Sequence, residues 1–513
     1  MGSPQKVPAP SSSWYAGALA AFHRAEFSSA GQMLDEAEAS QKASFDAAAA
    51  LLRARISLKN DAASALEYLA RRTALFTTAA AAQAESIMLQ GVAYARLGDA
   101  RSAAARFKDA AALCAPASEL AREIVYQRAA ALWIDRKLDQ AERILGPIEE
   151  TATGTLAIEI RVLRGAIQAA RGNISQQAAI LIETLRLIHA TPDPSTLHWA
   201  IVASQIAYLA RELPSATLRS NALSELPKIP WTNDLTELRY RMLRAVAWCH
   251  ALEGDDFNAF RRLKEAAAIT PSAAWRVMSF CDRAYLATAL SEPRWAEQEL
   301  RDAHELASTI TWSALDGEER FALLLLAELY APRDSALALS YVAQYRSNNG
   351  RYNRTLSSSN DRRVGAMEAY STGVVQRAIG DLSEAIRLFR EAWTVYDAIG
   401  YDWRAGRTAL ALAELTGDAG WRERAKEKLR EYPRSWLVTG ERRSTLSESS
   451  QLALLTPAQR AVFDLLIAGM PIKEIALAQQ RAEYTVRNHV KAIFKAFNVT
   501  SRAALMAWAH KKL

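Results

Sequence analysis

Cysteine, glycine and proline are scarce in this chain, which contains 3, 21 and 16 of them among 513 residues. The cysteines, Cys114, Cys249 and Cys281, lie far apart, with no CxxC pair and no histidine at metal-ligand spacing. We therefore expect three buried thiols in a reducing cytosol rather than a disulfide framework. The shortage of glycine and proline, the few β-branched runs and the abundant alanine predict an all-α fold.

Long apolar runs are also missing. The longest, residues 321–327, stops at Glu328 and falls far short of the roughly 20 residues that span a bilayer. Residues 1–13 lack a basic segment followed by an apolar one, so they do not resemble a secretory signal and we expect a disordered tail there. These absences predict a cytoplasmic protein.

Signatures of catalysis and nucleotide binding do not occur. The sequence has no GxxxxGK[ST] phosphate loop and no GxGxxG, HExxH or GxSxG motif. The histidines at 189, 198, 250 and 304 are scattered without ligand spacing. We expect neither an enzyme nor a bound cofactor.

Acidic residues are rare at the C-terminal end. Residues 456–513 contain nine Lys/Arg against three Asp/Glu, a net charge of +6, so the rest of the chain carries only +1 of the total +7. A near-neutral body with a small basic end is typical of a nucleic-acid-binding module attached to a regulatory body.

Residues 14–432 form a predicted array of helical repeats. The segment 91–110, GVAYARLGDARSAAARFKDA, has small residues where two helices would approach and aromatic residues to fill the space between them. It resembles a tetratricopeptide repeat, and 373–392, GVVQRAIGDLSEAIRLFREA, is a second copy. The matching positions are Gly91, Tyr94, Gly98, Ala103, Phe107 and Ala110 in the first copy, and Gly373, Gly380, Ala385, Phe389 and Ala392 in the second.

Turn signals recur with a period near 38 residues. This period predicts about eleven helix pairs in a right-handed solenoid, whose concave surface would bind a protein, a peptide or a small ligand. A purely mechanical spacer is the alternative. The polar stretch 345–365 predicts a loop insertion. The predicted turns lie near Glu26, Asn60, Gly98, Arg136, Gly172, Glu212, Gly254, Glu292, Pro332, Gly380 and Gly417.

Five tryptophans, Trp231, Trp248, Trp275, Trp295 and Trp312, fall within one stretch of the array. They could line an apolar pocket for an inducer. Packing between successive helices explains them better, because repeat cores need large side chains at helical spacing.

A separate C-terminal domain is predicted at 456–513, after a Ser-, Thr- and Arg-rich linker at 433–455. Thr456, Pro457 and Gln459 suit the start of a helix, and Gly469 suits its end. A short helix follows at about 472–479.

The next helix, about 483–497, is amphipathic. Val486, Val490, Ile493, Phe494 and Phe497 share one face and must meet a core. The opposite face carries exposed cations with no acids between them, which a phosphate-rich groove explains better than solvent does. That opposite face consists of Tyr484, Arg487, Asn488, Lys491 and Lys495.

Residues 455–509 resemble the LuxR-type (GerE-type) helix-turn-helix domain, through LTPAQRAV, AGM..KEIA, E.TVRNHV..I..K and NVTSRAA. With the repeat body, the architecture is similar to large MalT-like activators of that family. Those activators usually carry a nucleotide-binding domain, and this sequence has no phosphate loop for one.

The resemblance implies roles for matching residues. Arg487, Asn488 and Lys491 would contact base edges of double-stranded DNA, and Lys473, Thr485, Lys495 and Arg502 would contact its backbone. Leu505, Met506 and Trp508 would form a dimerisation helix, so that a homodimer meets an inverted-repeat operator. RNA polymerase is an implied partner. His489 also matches a family position, and we expect it to have a structural role or to contact a phosphate.

The turn before the predicted recognition helix departs from the family. Gln479, Gln480, Arg481 and Ala482 stand where Leu-Gly-Ile-Ser is usual, and Pro471 replaces the cap of the preceding helix. We expect Gln479 to be partly buried, Gln480 to be costly if its backbone is left-handed, and Ala482 to lack a capping oxygen.

We interpret the sequence as a transcription regulator whose repeat body receives a ligand or protein signal, and activation is the direction that we expect. The alternative is an interaction scaffold that keeps a degenerate helix-turn-helix only to dimerise. Salt-dependent binding to mixed duplex DNA separates the two.

Overall fold

A computed structural model of the chain describes residues 13–40, 46–77, 79–290, 292–315, 318–355, 362–435, 455–467 and 469–497, together with residues 499, 501, 502, 505 and 506. Throughout these residues every regular element is a helix, so the predicted all-α fold is confirmed. Within them, no helix has both the length and the hydropathy needed to cross a membrane.

Eleven antiparallel helix pairs make up the described body. A single helical turn, α5 (Thr73–Phe76), and two short 3₁₀ helices, Asn233–Leu235 and Trp312–Ala314, lie between them. The pairs are α1 Ser13–His23 with α2 Phe27–Ala39, α3 Ala47–Asn60 with α4 Ala62–Arg71, α6 Ala80–Arg96 with α7 Ala100–Ala112, α8 Glu119–Ile134 with α9 Leu138–Glu149, α10 Gly154–Arg171 with α11 Ile174–Ala190, α12 Thr196–Glu212 with α13 Ala216–Glu225, α14 Thr236–Leu252 with α15 Asp256–Ala268, α16 Ala273–Ala289 with α17 Pro293–Ser308, α18 Phe321–Tyr330 with α19 Ser335–Thr355, α20 Arg362–Ile379 with α21 Leu382–Ile399, and α22 Asp402–Thr416 with α23 Ala419–Leu429.

The eleven predicted turns all fall between the two helices of a pair. Many of them end the first helix with a left-handed residue, which satisfies its last carbonyls. The glycines that do so, with φ between +68° and +92°, are Gly98, Gly172, Gly254, Gly380 and Gly417.

Close approach within a pair depends on glycine. A β-carbon at Gly91 would lie 2.9 Å from the Phe107 ring, and one at Gly373 would lie 2.9 Å from the Phe389 ring. Both rings are buried. The two predicted repeats therefore use the same contact, a large ring packed directly on a bare backbone.

Two sequence-based expectations need correction. The loop insertion predicted at 345–365 is wrong in its described part, because α19 continues to Thr355 and α20 begins at Arg362. Residues 356–361 lie outside the described residues. Cys249 and Cys281 are buried as expected, but Cys114 is only half-buried.

The pairs coil back onto one another. Near the start, the Ser28 N–H and hydroxyl donate to Asp234 at 3.1 and 2.6 Å. Further along, α12 of the sixth pair contacts α22 of the eleventh, and Arg404 donates to Glu212 from 192 residues away. We call the six pairs from α12 to α23 the ring, because its last pair returns to its first.

Beyond the body, the described residues form α24 (Pro457–Ile467), α25 (Ile472–Ala478) and α26 (Glu483–Ala496). They share one hydrophobic core, which includes Val462, Phe463, Ile475 and Val490. The proposed tail (1–13) and linker (433–455) fall largely outside the described residues, so these two boundaries stay predictions.

Candidate nucleic-acid interface and ring cavity

The first helix of the C-terminal domain begins with the predicted capping box. The Thr456 N–H donates to Gln459 Oε1 at 2.9 Å, and the Gln459 N–H donates to Thr456 Oγ1 at 3.2 Å. This reciprocal pair satisfies two of the donors that a helix start leaves open. After α24, Gly469 turns the chain with φ +88°. The start and the end of α24 are therefore set by local sequence.

The core fixes the orientation of α26. Val486 and Ile493 are fully buried and Val490 nearly so. The ring of Phe497 stacks on Phe463 of α24, with centroids 4.9 Å apart and planes 12° from parallel. Because the buried residues recur at helical spacing, the other side of α26 must face outward.

The outward side of α26 carries Arg487, Asn488, Lys491 and Lys495, all exposed. We call these four residues the α26 face. Glu483 lies 3.7 Å from Arg487, a loose pair whose arginine is 59% exposed. Such a pair contributes little in water, so Arg487 remains available for another acceptor.

Unpaired cations extend this surface. Among the described residues, no carboxylate lies within 4.0 Å of Lys473, Arg481, Lys491 or Lys495. Arg481 Nη1 lies 3.3 Å from Nε2 of the half-buried His489. Four exposed cations without a carboxylate partner on one small domain create a field that attracts a polyanion.

The turn between α25 and α26 has the geometry that its sequence disfavours. Gln480 has φ +50°. Its N–H donates to the Leu477 carbonyl, and the Arg481 N–H donates to the Ala476 carbonyl at 2.9 Å. This is the Schellman arrangement, which glycine normally supplies.

The caps of these two helices are equally bare. Ala482 takes an extended N-cap conformation, φ −66° and ψ 142°, but offers no side-chain hydrogen bond to α26. Pro471 likewise caps α25 without a side-chain bond. Gln479 is half-buried as expected. The expected weaknesses of the turn are therefore present in its backbone and caps.

The backbone-contact candidates divide into two groups. Lys473 and Lys495 are exposed and Thr485 is half-exposed, so all three stay candidates. Arg502 is half-buried. Its Nη2 donates to the Leu466 carbonyl at 3.2 Å and its Nε is buried, so part of its guanidinium is engaged within the domain and its contact with DNA stays a prediction. Its guanidinium holds the end of α24 inside the domain.

The dimerisation candidates change in a similar way. Leu505 is fully buried in the core of its own domain, so its side chain cannot contact a second subunit. Met506 is half-buried and stays a candidate. Trp508 lies outside the described residues.

A cavity of about 880 Å³ is lined by helices of the ring and by residues of the fourth and fifth helix pairs, among them Trp133, Arg136 and Arg171. We call it the ring cavity. Of the five clustered tryptophans, Trp248 and Trp275 line it. Trp312 is instead buried in the hydrophobic core, as packing between helices requires. Trp275 also belongs to that core, so packing between helices accounts for part of the cluster, and an inducer pocket stays a prediction.

The charged lining of the cavity is mostly arginine. Nine arginines and three carboxylates contribute to it. The arginines are Arg136, Arg171, Arg211, Arg241, Arg244, Arg362, Arg363, Arg404 and Arg407, and the carboxylates are Asp282, Glu318 and Glu328.

The densest group of charges lies where α22 returns to α12. The Glu212 carboxylate is fully buried. It accepts hydrogen bonds from Arg211 Nε at 2.9 Å and from Arg404 Nε and Nη2 at 2.7 and 2.9 Å, together with one from the Trp403 indole at 2.9 Å. Arg407 pairs with Glu328 at 2.9 Å. We call Arg211, Glu212, Glu328, Arg404 and Arg407 the seam.

Sequence analysis missed the seam. Its members come from helices up to 192 residues apart, and no local motif links them. The only sequence signal is the recurrence of arginine on the first helices of successive pairs, which a solvent-exposed helix face explains equally well.

Comparison with known proteins supports a family for the C-terminal domain. Residues 453–509 match the family described as "Bacterial regulatory proteins, luxR family". A 72-residue stretch is 34% identical to a "Probable HTH-type transcriptional regulator GfsR" of Streptomyces halstedii. That stretch covers 14% of this chain, and the match spans 30% of the relative's length.

Solved structures resemble the body only distantly. The "Crystal Structure of Rap Protein Complexed with Competence and Sporulation Factor" is 12% identical with a TM-score of 0.40, and covers 67% of this chain and 99% of that one. The "Apo Form of RapI" is 14% identical with a TM-score of 0.43, with coverages of 68% and 96%. The "APC/C hetero-tetramer Cut9-Hcn1" is 13% identical with a TM-score of 0.38, with coverages of 96% and 89%. The evidence for the solenoid architecture is therefore this chain's own series of helix pairs.

Proposed function

We propose that the chain regulates transcription by placing α26 in the major groove of DNA, because residues 453–509 match the luxR family of bacterial regulatory proteins. The observation that carries the proposal is the α26 face, which sets Arg487, Asn488 and Lys491 on one exposed side of a helix anchored by its core. Arginine and lysine recognise guanine edges, and asparagine recognises adenine.

The remaining cations supply affinity that does not depend on sequence. Lys473 and Lys495 have no carboxylate partner among the described residues, and Arg481 stands at the turn beside them. Each phosphate that they neutralise releases counterions, so binding should weaken steeply as salt rises. Base contacts and phosphate contacts are therefore assigned to different residues.

We infer further that the body receives the signal, as a small ligand in the ring cavity or as a protein partner on the solenoid. Binding there would control the exposure or dimerisation of the C-terminal domain, and a homodimer would meet an inverted-repeat operator. We propose that the chain activates transcription through RNA polymerase. Met506 and Trp508 remain the candidates for the contact between the two subunits of the dimer.

Binding of the full-length chain to DNA tests the first step. Duplexes selected by the wild-type chain from a random library would provide a preferred site, to be compared with mixed duplex DNA by fluorescence anisotropy. We expect Lys491→Ala to weaken binding to the selected site by about 1–3 kcal/mol and to relax its preference. Lys495→Ala should weaken binding to both duplexes alike and reduce the salt slope by about one.

Each outcome has a defined meaning. If Lys491→Ala bound the selected site as tightly as the wild type, the base-contacting face would be wrongly assigned. If Lys495→Ala changed the preference for the selected site, the division between base and phosphate contacts would fail.

One observation favours a second function. The left-handed Gln480 and the uncapped Ala482 are what a helix-turn-helix that no longer binds DNA could accumulate. In that case the chain would be an interaction scaffold that uses the domain only to dimerise. No binding of the full chain to mixed duplex at about 50 mM salt would favour the scaffold, since phosphate attraction is strong there.

A further inference from the structure

We propose that the ring cavity binds a small organic anion that carries a flat unsaturated ring. The proposal deepens the sensing role given to the body above, because it names the chemical class of the signal. It rests on three observations: surplus positive charge at the seam, aromatic rings beneath the arginines, and the size of the cavity.

Positive charge exceeds negative charge at the seam. Arg211 and Arg404 share the single carboxylate of Glu212, and Arg407 pairs with Glu328, so three guanidinium groups meet two carboxylates. These arginine side chains are only 11–18% exposed. Buried charges are normally neutralised by a partner, so a seam with one surplus cation favours an added anion.

Arg407 has donors to spare. Its Nη2 donates to Glu328 at 2.9 Å, while its Nε and Nη1 bond to no residue in the part of the chain that the structure describes. The Ser371 hydroxyl also donates to Glu328, at 2.7 Å, which holds that carboxylate in place. A carboxylate or phosphate entering the cavity would find unused N–H groups on a fixed guanidinium.

Aromatic rings support the arginines and provide flat surfaces. Arg407 lies over the rings of Tyr370 and Tyr285, at 4.4 and 5.0 Å from their centroids, and Arg404 lies over Trp403 at 4.5 Å. Burial raises the pKa of the Tyr285 phenol, which therefore stays neutral. Stacked guanidinium and aromatic planes favour a flat, unsaturated ligand.

The size of the cavity favours a small molecule over a folded partner. About 880 Å³ falls within the roughly 300–1,000 Å³ of pockets that hold drug-sized ligands. The cavity is also bounded by helices from both ends of the ring, since α12 and α22 both line it. A ligand there would touch both sides of the ring closure.

In the test, the full-length chain is titrated by calorimetry with three naphthalene derivatives that share the ring and carry a negative, a neutral or a positive substituent. They are 2-naphthoate, the neutral 2-naphthylmethanol and 2-naphthylmethylammonium. At the efficiency usual for ligands, naphthoate should bind with a Kd of about 1 mM or tighter. We expect the alcohol to bind about tenfold more weakly and the ammonium ion more weakly still.

Variants then locate the site. Arg407→Gln should weaken naphthoate binding about tenfold and leave the alcohol unchanged, and Arg407→Lys should retain part of the affinity. Arg377→Gln, an arginine paired with Glu414 on the exposed surface, is the matched control and should change nothing. Circular dichroism checks that each variant folds.

Several results would overturn the proposal. They are equal binding of the acid and the alcohol, tightest binding of the ammonium ion, or no binding of any of the three at about 10 mM. An acidic octapeptide that bound more than tenfold tighter than naphthoate would replace the small molecule with a peptide. The titration contains no DNA, so its failure would leave the proposed role of α26 standing, and failure of DNA binding would leave the cavity proposal standing.

Discussion

The strongest test of the turn before α26 is the substitution Gln480→Gly. Gln480 is exposed and has φ +50°, so its backbone is left-handed while its side chain makes few contacts. Two hydrogen bonds, from its own N–H and from that of Arg481, require this conformation. The substitution removes the β-carbon and leaves both bonds possible.

The expected gain follows from two opposing terms. A β-carbon in the left-handed region costs roughly 1–2 kcal/mol. Glycine gives back roughly 0.4–1 kcal/mol through the extra freedom of the unfolded chain. Gln480→Gly should therefore stabilise the C-terminal domain by about 1 kcal/mol.

Hydrogen exchange of the full-length chain measures this gain without separating the domains. Core amides of α24 and α26, such as those of Phe463 and Ile493, report the opening of the domain. A gain of about 1 kcal/mol slows their exchange about fivefold, while exchange in the ring should not change. Gln479→Gly is the matched control, because Gln479 has an ordinary φ of −94° and glycine there should speed exchange.

Unchanged exchange at Phe463 and Ile493 in Gln480→Gly would contradict a strained backbone at Gln480. The left-handed turn would then carry no strain, and its departure from the family sequence would have no energetic meaning. Faster exchange would show that the Gln480 side chain makes stabilising contacts. An equal slowing in Gln479→Gly would mean that loss of a glutamine side chain from this turn, and not its left-handed geometry, stabilises the domain.

The remaining predictions concern a cap, a repeat contact and the seam. Ala482→Ser should stabilise the C-terminal domain by about 1 kcal/mol, because serine gives α26 an N-cap oxygen. Exchange of the Phe463 and Ile493 amides should then slow. Unchanged exchange would mean that water already satisfies the first N–H groups of α26. Gly373→Ala should lower the free energy of unfolding by about 1–3 kcal/mol, because its β-carbon would press on the Phe389 ring. Gly365→Ala on the same helix meets open space and should leave thermal unfolding unchanged or raise its midpoint. Equal effects of the two substitutions would contradict the close packing of Gly373 on Phe389. Burial alone would raise the pKa of Glu212, but Arg211 and Arg404 outweigh burial and lower that pKa to about 2. Because the folded pKa is depressed, this contribution of roughly 3 kcal/mol is complete above about pH 5 and is lost as the pH falls toward 2. Glu212→Gln should lack this contribution at every pH. Hydrogen exchange in α12 and α22 should therefore speed up in acid for the wild type and change less for the variant. Identical acid profiles would mean that the Glu212 carboxylate does not stabilise the ring closure.

Turns and caps could be predicted from sequence because their chemistry is local. Gly98 and Gly380 predict left-handed helix ends, and Thr456 with Gln459 predicts a helix start. Each of these features depends on residues only a few positions apart. The tight contact of Gly373 with Phe389 was equally predictable from its match to Gly91 with Phe107. Local composition gave a wrong prediction at 345–365. The polar residues there indicated a loop, but Tyr345 is buried and its helix continues to Thr355.

The seam could not be predicted because no local rule fixes how far a solenoid coils before it meets itself. Glu212 gains Arg404 as a partner only because α22 returns to α12. Small differences in the angle between successive pairs, summed over five pairs, decide whether the two helices meet. The burial of Leu505 and the hydrogen bond from Arg502 to Leu466 have a related cause, because packing within the domain decides where each side chain points.

The weak turn and the proposed DNA-contacting surface belong to different residues. Gln480 and Ala482 set the energy of the turn through backbone geometry and a missing cap, and neither carries a charge. Arg487, Asn488 and Lys491 lie on α26, whose orientation is fixed by Val486, Ile493 and the stacked Phe463 and Phe497 rings. A weak turn lowers the fraction of folded domains without rotating this face, so it scales binding to every DNA sequence by the same factor. The turn therefore bears on how much of the domain is folded, whereas the proposed choice of DNA sequence rests with the α26 face.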